Sequence, residues 1–235
     1  MNTRIYNKSI NIDNQKTKIF WEERANSNIS LITVLLGDDK TGKTQEMRNL
    51  KEAQILSSML NHEKLRILDI GCGTGRWINN LYDKIDKYVG IDYTKSLIDY
   101  ARKQFCDLKY VSFLNSSIQD VDIHQIGTDY NLIICTGVLM YINNSDLENV
   151  FNLIQKISPK YFYIQESISL LESRMTLNNY ASESLNTNYN AIYRTPEEYE
   201  KHFTGYEIIK TDLLLDATIG SRNETNAKYW FLKKG

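Results

Sequence analysis

The order of apolar and polar residues along the chain predicts strands and helices that alternate. Short apolar runs, such as LRILDI at residues 65–70 and YFYI at 161–164, are typical of strands that are buried on both faces of a sheet. The segments between such runs repeat an apolar residue every three to four positions, as in a helix with one buried face. This alternation indicates an α/β fold in which a mostly parallel sheet has helices on both faces.

Six helices and seven strands are predicted. Five helices are expected at residues 14–25, 45–60, 76–82, 95–105 and 145–157, the last of them capped by Ser145. A sixth begins at Thr195-Pro196, because threonine caps a helix and proline suits its first position. Five strands are expected at residues 65–70, 88–91, 110–114, 131–135 and 161–164. The last two strands, at 206–215 and 228–232, should form an antiparallel hairpin at the sheet edge.

One stretch interrupts this alternation and suggests how the chain is divided. Residues 166–194 are rich in Ser, Asn and Tyr, and they are too long for a routine connection. Loops of this length in compact domains are usually lids or binding loops. We expect an irregular start over residues 1–13 within an N-terminal helical cap segment at 1–61, followed by one core domain at 62–235 that carries the 166–194 insert.

Composition and charge narrow the class of protein. The 235 residues carry a net charge of −1, which argues against binding of nucleic acid through broad basic charge. No apolar run reaches the roughly 20 residues of a membrane-spanning helix, and the first twenty residues lack the apolar segment of a secretory signal. The three cysteines are widely spaced and give no disulfide framework. These features predict a cytoplasmic protein, and the His and Cys spacings predict no metal site.

Two glycine-rich stretches compete as the ligand-binding loop. The first, GDDKTGKT from Gly37 to Thr44, satisfies the P-loop pattern G-x-x-x-x-G-K-[ST] of nucleotide triphosphatases. However, Asp38 and Asp39 would face the triphosphate, and their charge opposes anion binding. We therefore interpret this stretch as a turn before a helix, and keep a P-loop NTPase as an alternative.

The second stretch, LDIGCGTG, lies between a predicted strand and a predicted helix. Its glycines at 71, 73 and 75 allow the backbone to turn sharply and to approach a ligand closely. Asp69 precedes the first glycine and can accept a hydrogen bond from a cationic amine. Asp92 ends the next strand, where a carboxylate can accept from two ribose hydroxyls. Together these residues indicate a site for a nucleoside that carries a positively charged amino-acid part.

This sequence resembles the class I S-adenosylmethionine-dependent methyltransferases, whose signature matches LDIGCGTG, and the likeness extends over residues 65–142. The resemblance implies a Rossmann-like, mostly parallel seven-stranded sheet, with S-adenosylmethionine as cofactor. It implies that Asp69, Gly71, Cys72 and Gly73 surround the methionine part, that Asp92 binds the ribose and that Tyr93 lies against the adenine.

Two further segments extend the resemblance. In FLNSSIQD the family usually has an acid that contacts the adenine amino group, and here that position is Ser117, followed by an apolar wall at Ile118. In YNLIICTGVLMYI the resemblance puts Cys135 and Thr136 near the sulfonium. Many relatives have histidine where this chain has Tyr141, so a histidine base is not expected there.

A second resemblance concerns the acceptor of the methyl group. FWEERA near the start and AIYRTPEEYEKHF near the end are similar to segments of bacterial methyltransferases from sugar and surface-polysaccharide gene clusters. This likeness implies that Trp21 and Arg24 close over the cofactor, with Arg24 facing its carboxylate. It favours O-methylation of a sugar hydroxyl on a glycan or nucleotide sugar. N-methylation of an amino sugar or small amine, and a non-catalytic cofactor-binding subunit, remain alternatives.

Candidate acceptor-site residues follow from the expected position of the loops. Glu166 directly follows a predicted strand and is the leading candidate for a general base, with Tyr141 as a second proton donor or acceptor. Side chains that could stack on a sugar ring or hold a phosphate or carboxylate are Tyr141, Arg174, Tyr189, Tyr193 and Arg194.

Overall fold

A computed structural model describes residues 3–27, 29–30, 42–60, 63–182, 187–216 and 223–235. The helices are α1 (Asn14–Ser27), α2 (Lys43–Met59), α3 (Arg76–Asn80), α4 (Lys95–Gln104), α5 (Ile123–Ile126), α6 (Asn144–Ile157) and α7 (Pro196–Glu200). The strands are β1 (Thr3–Tyr6), β2 (Leu65–Ile70), β3 (Ile85–Asp92), β4 (Val111–Asn115), β5 (Leu132–Thr136), β6 (Tyr161–Ser169), β7 (Met175–Ser182), β8 (Thr187–Tyr193), β9 (Tyr206–Leu213) and β10 (Thr225–Lys234). Three short 3-10 helices cover Tyr82–Lys84, Ile118–Asp120 and Leu139–Tyr141.

The main sheet has seven strands in the order β4-β3-β2-β5-β6-β10-β9. The first five are parallel, whereas β10 is antiparallel to both of its neighbours, β6 and β9. The predicted fold class is therefore confirmed. The predicted C-terminal hairpin is also confirmed, with β9 as the edge strand and β10 inserted next to β6.

Helices pack on both faces of this sheet. One face holds α5, α6 and α7, and α6 buries Leu147, Val150, Phe151 and Ile154 at the spacing of one helical stripe. The other face holds α2, α3 and α4 around Trp77, Tyr88 and Tyr163. The central strands β2 and β5 are buried from both sides, which explains why the sequence shows them as continuous apolar runs.

A second sheet corrects two expectations from the sequence. Its three antiparallel strands have the order β1-β7-β8, so residues 3–6 are not irregular and the stretch 166–194 is not a long loop. Instead, β6 continues to Ser169, and β7 and β8 form a hairpin to which β1 adds a strand. Thr3–Tyr6 pairs with Met175–Asn178, which lie far away in the sequence. No local sequence pattern could therefore predict this pairing.

Several element ends also differ from the prediction. Helix α6 is capped at Asn143 and not at Ser145, and the Asn143 amide pairs with the backbone of Ile12 at 2.9 and 3.1 Å. Helix α3 ends at Asn80, and the short α5 is missing from the prediction. The start of α7 is confirmed, since Thr195 and Glu198 form a reciprocal capping box.

The N-terminal elements lie close to the carboxyl edge of the main sheet. Helix α1 packs against α4 and β8, and its Phe20 and Trp21 join an aromatic cluster with Tyr141 and Tyr189. Within the described residues, no helix has the length and apolar character needed to cross a membrane. The division of the chain at residue 61 stays a prediction.

Candidate active site

The glycine loop after β2 is held tightly between two neighbouring segments. Gly71 has a φ of +68°, and a Cβ atom at this position would lie 2.1 Å from a methyl carbon of Val138. The amide groups of Gly71 and Cys72 both donate to the carbonyl of Ile91, at 2.8 and 3.0 Å. The loop therefore has no space for a side chain at residue 71 and is fixed to the end of β3.

Asp92 lies at the carboxyl end of β3 beside this loop. Its carboxylate oxygens accept hydrogen bonds from the amides of Gly73 at 3.0 Å and Thr94 at 2.8 Å. Burial raises the pKa of Asp92, while these hydrogen bonds act in the opposite direction. Each oxygen retains a lone pair with which it can accept from a hydroxyl of a ligand.

Asp69 is enclosed behind the loop at the end of β2. The Tyr88 hydroxyl donates to one carboxylate oxygen, and the other oxygen has no hydrogen-bond partner in the described part of the chain. Burial raises the pKa of Asp69 to about 7, although the Tyr88 hydrogen bond and the charge of Arg76 lower it. An unpartnered buried oxygen of this kind fits a donor from a bound cationic ligand.

A single cavity of about 1460 Å³ opens at this edge of the sheet. Pockets for one drug-sized ligand are typically about 300–1,000 Å³, so this cavity has room for a cofactor and an acceptor together. The cavity brings together most of the site residues predicted from the sequence. Those that line it are Trp21, Gly71, Cys72, Asp92, Tyr93, Ser117, Ile118, Thr136, Tyr141, Tyr189 and Tyr193.

One end of the cavity is aromatic. The hydroxyl oxygens of Tyr141 and Tyr189 lie 2.6 Å apart, and Trp21 meets the Tyr141 ring edge-on at 5.8 Å. Burial raises the pKa of the Tyr141 hydroxyl well above its ordinary value, although the Tyr189 hydrogen bond and the charge of Arg24 lower it. Tyr141 therefore stays protonated at neutral pH and can act as a hydrogen-bond donor and acceptor.

Glu166 is not placed in this cavity. Its carboxylate is fully buried and accepts from the backbone amides of Val138, Leu139 and Met140, at 2.8, 2.8 and 3.2 Å. Burial raises its pKa to about 7, against these hydrogen bonds and the charge of Arg194. These contacts hold the Leu139–Tyr141 turn, and Glu166 is not among the residues that line the cavity, so the geometry does not support the predicted role as a general base.

The two predicted acceptor-site arginines are also engaged within the protein. Arg194 is fully buried, and its guanidinium donates to the carbonyls of Leu139 at 2.8 Å and Ile142 at 2.6 Å and to the Asn144 side chain. Arg174 forms an ion pair with Glu198 in the first turn of α7. Neither lines the cavity, so the geometry does not support their predicted role as acceptor ligands.

Four predicted cofactor residues lie beside the cavity without lining it, one of them Asp69, which is enclosed behind the glycine loop. The Gly73 amide is bonded to Asp92 as described above. Cys135 is completely buried in the sheet, where burial raises the pKa of its thiol, so the expected contact with the sulfonium is not supported. Arg24 lies near Tyr141 and Tyr189, and partial burial lowers the pKa of its guanidinium.

The end of the cavity next to the glycine loop contains a buried polar network that was not predicted from the sequence. Arg48 from α2 and Arg76 from α3 both donate to the buried carboxylate of Glu52, and both line the cavity. Arg48 also donates to Gln165 at 3.1 Å, whose own amide nitrogen has no partner in the described residues. Two guanidinium groups share one carboxylate, so this end of the cavity carries a net positive charge. Only the position of Arg76 directly after Gly75 could have indicated it.

The comparisons with known proteins agree with this geometry. The sequence profile of the methyltransferase domain family matches residues 61–230, well over half of the chain. The chain therefore belongs to this family. The matched region contains the glycine loop at 71–75 and not the GDDKTGKT stretch, of which residues 37–41 lie outside the described residues.

Named relatives fall into more than one class of methyltransferase. Phosphoethanolamine N-methyltransferase 1 of Triticum aestivum is 18% identical over 231 residues, covering 95% of this chain, which spans 45% of the relative's length. A ubiquinone biosynthesis O-methyltransferase of Rickettsia bellii is 26% identical over 175 residues, with 69% of this chain and 71% of the relative covered. The acceptors and attacking atoms implied by these names differ.

Solved structures match the fold over nearly the whole chain. An S-adenosylmethionine-dependent methyltransferase of Leishmania major has a TM-score of 0.69 at 16% identity, covering 94% of this chain and 82% of that one. Other neighbours contain bound S-adenosylmethionine or S-adenosylhomocysteine. The chain is a methyltransferase, and S-adenosylmethionine is its cofactor. The unpartnered oxygen of Asp69, the close-packed Gly71 and the carboxylate of Asp92 fit this molecule.

Proposed function

We propose that this enzyme methylates a small molecule that binds beside the Tyr141–Tyr189 pair. The observation that carries the proposal is the single cavity that joins the glycine loop and Asp92 to these tyrosines. S-adenosylmethionine supplies a methyl group that is already activated on a sulfonium. The chain therefore contributes mainly alignment and exclusion of water, and alignment alone can lower a barrier by roughly 7–11 kcal/mol.

The residues of the donor end have separate proposed roles. Asp92 accepts hydrogen bonds from the ribose hydroxyls, and Tyr93 and Ile118 pack against the base. Arg48 and Arg76 hold the carboxylate of the amino-acid part, because both line the cavity and, in the described part of the chain, their two positive charges share one carboxylate, that of Glu52. This assignment replaces Arg24, which does not line the cavity.

An amine nitrogen is the acceptor that this site favours. A hydroxyl is a poor nucleophile and needs a general base, whereas a neutral amine does not. No histidine occurs among the described lining residues. Of the carboxylates that line the cavity, Glu224 is paired with Arg4 at 2.6 Å, and Asp92, Asp120 and Asp146 belong to the proposed donor end with the glycine loop and Ile118. Tyr141 keeps its proton at neutral pH and is a weak base. N-methylation of an amino sugar or other small amine is therefore our first candidate.

A sugar hydroxyl of a glycan or nucleotide sugar, as predicted from the sequence, is the second candidate. The mixed lining supports it, because Trp21 and Tyr193 offer faces for a sugar ring while Gln165, Ser167 and Asn226 offer polar groups. In this case the proton of the attacking hydroxyl would pass through the Tyr141 and Tyr189 hydroxyls to solvent water. A role in polysaccharide biosynthesis belongs to this second candidate, and the three free cysteines support a cytoplasmic location for either.

The test is a screen for consumption of S-adenosylmethionine with small amines, amino sugars, nucleotide sugars and glycan fragments. Mass spectrometry then locates the added methyl group on nitrogen or oxygen. We expect transfer to an amine. Transfer to hydroxyls alone would favour the second candidate, and binding of the donor without turnover on any acceptor would favour a non-catalytic subunit.

A further inference from the structure

The cavity wall beside Ile118, where the resemblance predicts the adenine, contains a hydrogen-bonded chain at the position of the family's usual acid. Ser117, directly before the Ile118–Asp120 turn, donates from its hydroxyl to the side-chain oxygen of Gln119 at 2.6 Å. The Gln119 amide nitrogen donates in turn to a carboxylate oxygen of Asp146 at 3.1 Å. All three side chains line the cavity next to Ile118.

The chemistry of this chain fixes the orientation of the Gln119 amide. A carboxylate accepts hydrogen bonds and cannot donate them, so the amide must turn its NH₂ group toward Asp146. Its oxygen then lies on the side of Ser117, which occupies one of the two lone pairs. The second lone pair remains available to a donor within the cavity.

We infer that Gln119, held by Ser117 and Asp146, recognises the 6-amino group of the cofactor's adenine in place of the family's acid. This inference rests on S-adenosylmethionine as the cofactor. Asp146 comes from the first turn of α6 and does not follow from the motif that contains Ser117. The recognition is therefore assembled from two elements that are separate in sequence.

Asp146 also makes the recognition selective. In a purine with a 6-oxo group, the oxygen at position 6 would face the side-chain oxygen of Gln119, and the two acceptors would repel each other. The amide could relieve this repulsion only by flipping, which would set its oxygen against the Asp146 carboxylate. We therefore expect the site to prefer an amino group over an oxo group.

Calorimetric titration with S-adenosylhomocysteine and S-inosylhomocysteine tests this, because the two differ in 6-amino against 6-oxo and in the proton that the oxo purine carries on N1. The Gln119 variants then separate the effect at position 6 from the effect at N1. The wild-type protein should bind the amino compound at least about tenfold more tightly, as expected for one hydrogen bond gained and one repulsion avoided. Gln119→Ala should weaken the amino compound by about three- to tenfold and bring the two affinities within about twofold of each other.

Further variants separate recognition from general damage. Asp146→Asn lets the amide flip, and should reduce the preference while the amino compound still binds. The double variant Ser117→Asp with Gln119→Ala restores the family's acid and should regain the preference. Gln125→Ala, an exposed glutamine on α5 outside the cavity, is the matched control and should behave as wild type. Thermal unfolding of each variant checks its folding.

Equal affinity of the wild-type protein for both compounds would overturn the inference, as would an unchanged preference in a folded Gln119→Ala variant. Failure of the wild-type protein to bind either compound would also overturn it, and would contradict the cofactor as well. Normal selectivity combined with no turnover on any acceptor would contradict only the proposed acceptor chemistry.

Discussion

At the scale of single residues, the spacing of a motif identified the chemistry of the cofactor end but not the contacts of each side chain. Gly71 and Asp92 lie where the motif predicts, since strand ends and tight turns dictate their positions. Glu166 was assigned as a base from its place after a strand, yet β6 continues through it and turns its carboxylate toward backbone amides. A sequence shows where a strand ends only approximately, and one residue decides which way a side chain faces.

The buried carboxyl group of Asp69 predicts how stability depends on pH. Its pKa is about 7 in the folded protein and near 4 in the unfolded chain, so the folded state binds more protons between these values. Its contribution is therefore fully present below pH 4 and is lost as the pH rises to 7, by up to about 1.4 kcal/mol per pH unit.

Urea denaturation at pH 5, 6 and 7 measures this slope. Asp69→Asn, which has no titrating group, should flatten it, and a residual slope of the same direction should remain from Glu166. Asp86→Asn, on an exposed position of β3, should leave the slope unchanged. An identical slope in wild type and Asp69→Asn would show that Asp69 titrates normally.

The loss of turnover in a Tyr141→Phe variant should differ between the two acceptor candidates. Tyr141→Phe removes the hydroxyl that bonds Tyr189 and lies in the cavity. For an amine acceptor we expect turnover to fall by about tenfold, as for one lost hydrogen bond. For a hydroxyl acceptor that needs proton relay, the fall should be about 100-fold or more.

Single-turnover rates of the wild-type protein and Tyr141→Phe measure this effect. The affinity of Tyr141→Phe for S-adenosylhomocysteine should differ from that of the wild-type protein by less than about twofold. Tyr82→Phe, an exposed tyrosine remote from the cavity, serves as the control. A rate that is unchanged in Tyr141→Phe would exclude the tyrosine pair as the acceptor site.

At the scale of elements, local periodicity in the sequence predicted the strands of the main sheet but not those of the second sheet. The five parallel strands are apolar runs of adequate length between helices, and burial on both faces produces that pattern. In β7 and β8 polar residues interrupt the apolar ones, and a register shift between Leu177 and Tyr180 breaks the alternation. Only their pairing with each other and with β1 makes them a sheet.

The Leu139–Tyr141 turn is held from both ends by two residues that the sequence suggested for other roles, Glu166 as a general base and Arg194 as an acceptor ligand. Glu166 accepts from its amides, and Arg194 donates to the carbonyls of Leu139 and Ile142. Glu166→Ala would leave three backbone amides without this partner, two of them buried, and should lower the free energy of unfolding by about 3 kcal/mol. Arg194→Met should cost a similar amount.

Because both side chains hold one turn, their effects should not add. The double variant should lose at least about 1 kcal/mol less than the sum of the single losses in urea denaturation. Glu166→Gln, which retains one accepting oxygen, is the matched control and should lose less than Glu166→Ala. Full additivity would show that the two residues act on separate parts of the structure.

At the scale of the whole molecule, the fold brings three distant parts of the chain to one cavity. The glycine loop and Asp92 come from the carboxyl ends of β2 and β3, Trp21 comes from α1, and Tyr189 comes from the second sheet. The sequence placed the glycine loop and Asp92 at this cavity, because each follows directly from the end of a strand, and their contacts with the donor stay a prediction. It predicted the acceptor end poorly, because that end exists only after α1 and the β7–β8 hairpin pack together.

The central claim is that the pocket beside Gly71 and Asp92 binds the adenosyl donor, and one calorimetric measurement tests it. S-adenosylhomocysteine should bind the wild-type protein, and Asp92→Ala should weaken binding at least about 30-fold, because hydrogen bonds to a carboxylate are each worth about 1.5–3 kcal/mol. Asp86→Ala on the same strand and Lys43→Ala should retain the affinity. Binding of ATP that depends on Lys43, together with no binding of S-adenosylhomocysteine, would contradict the claim.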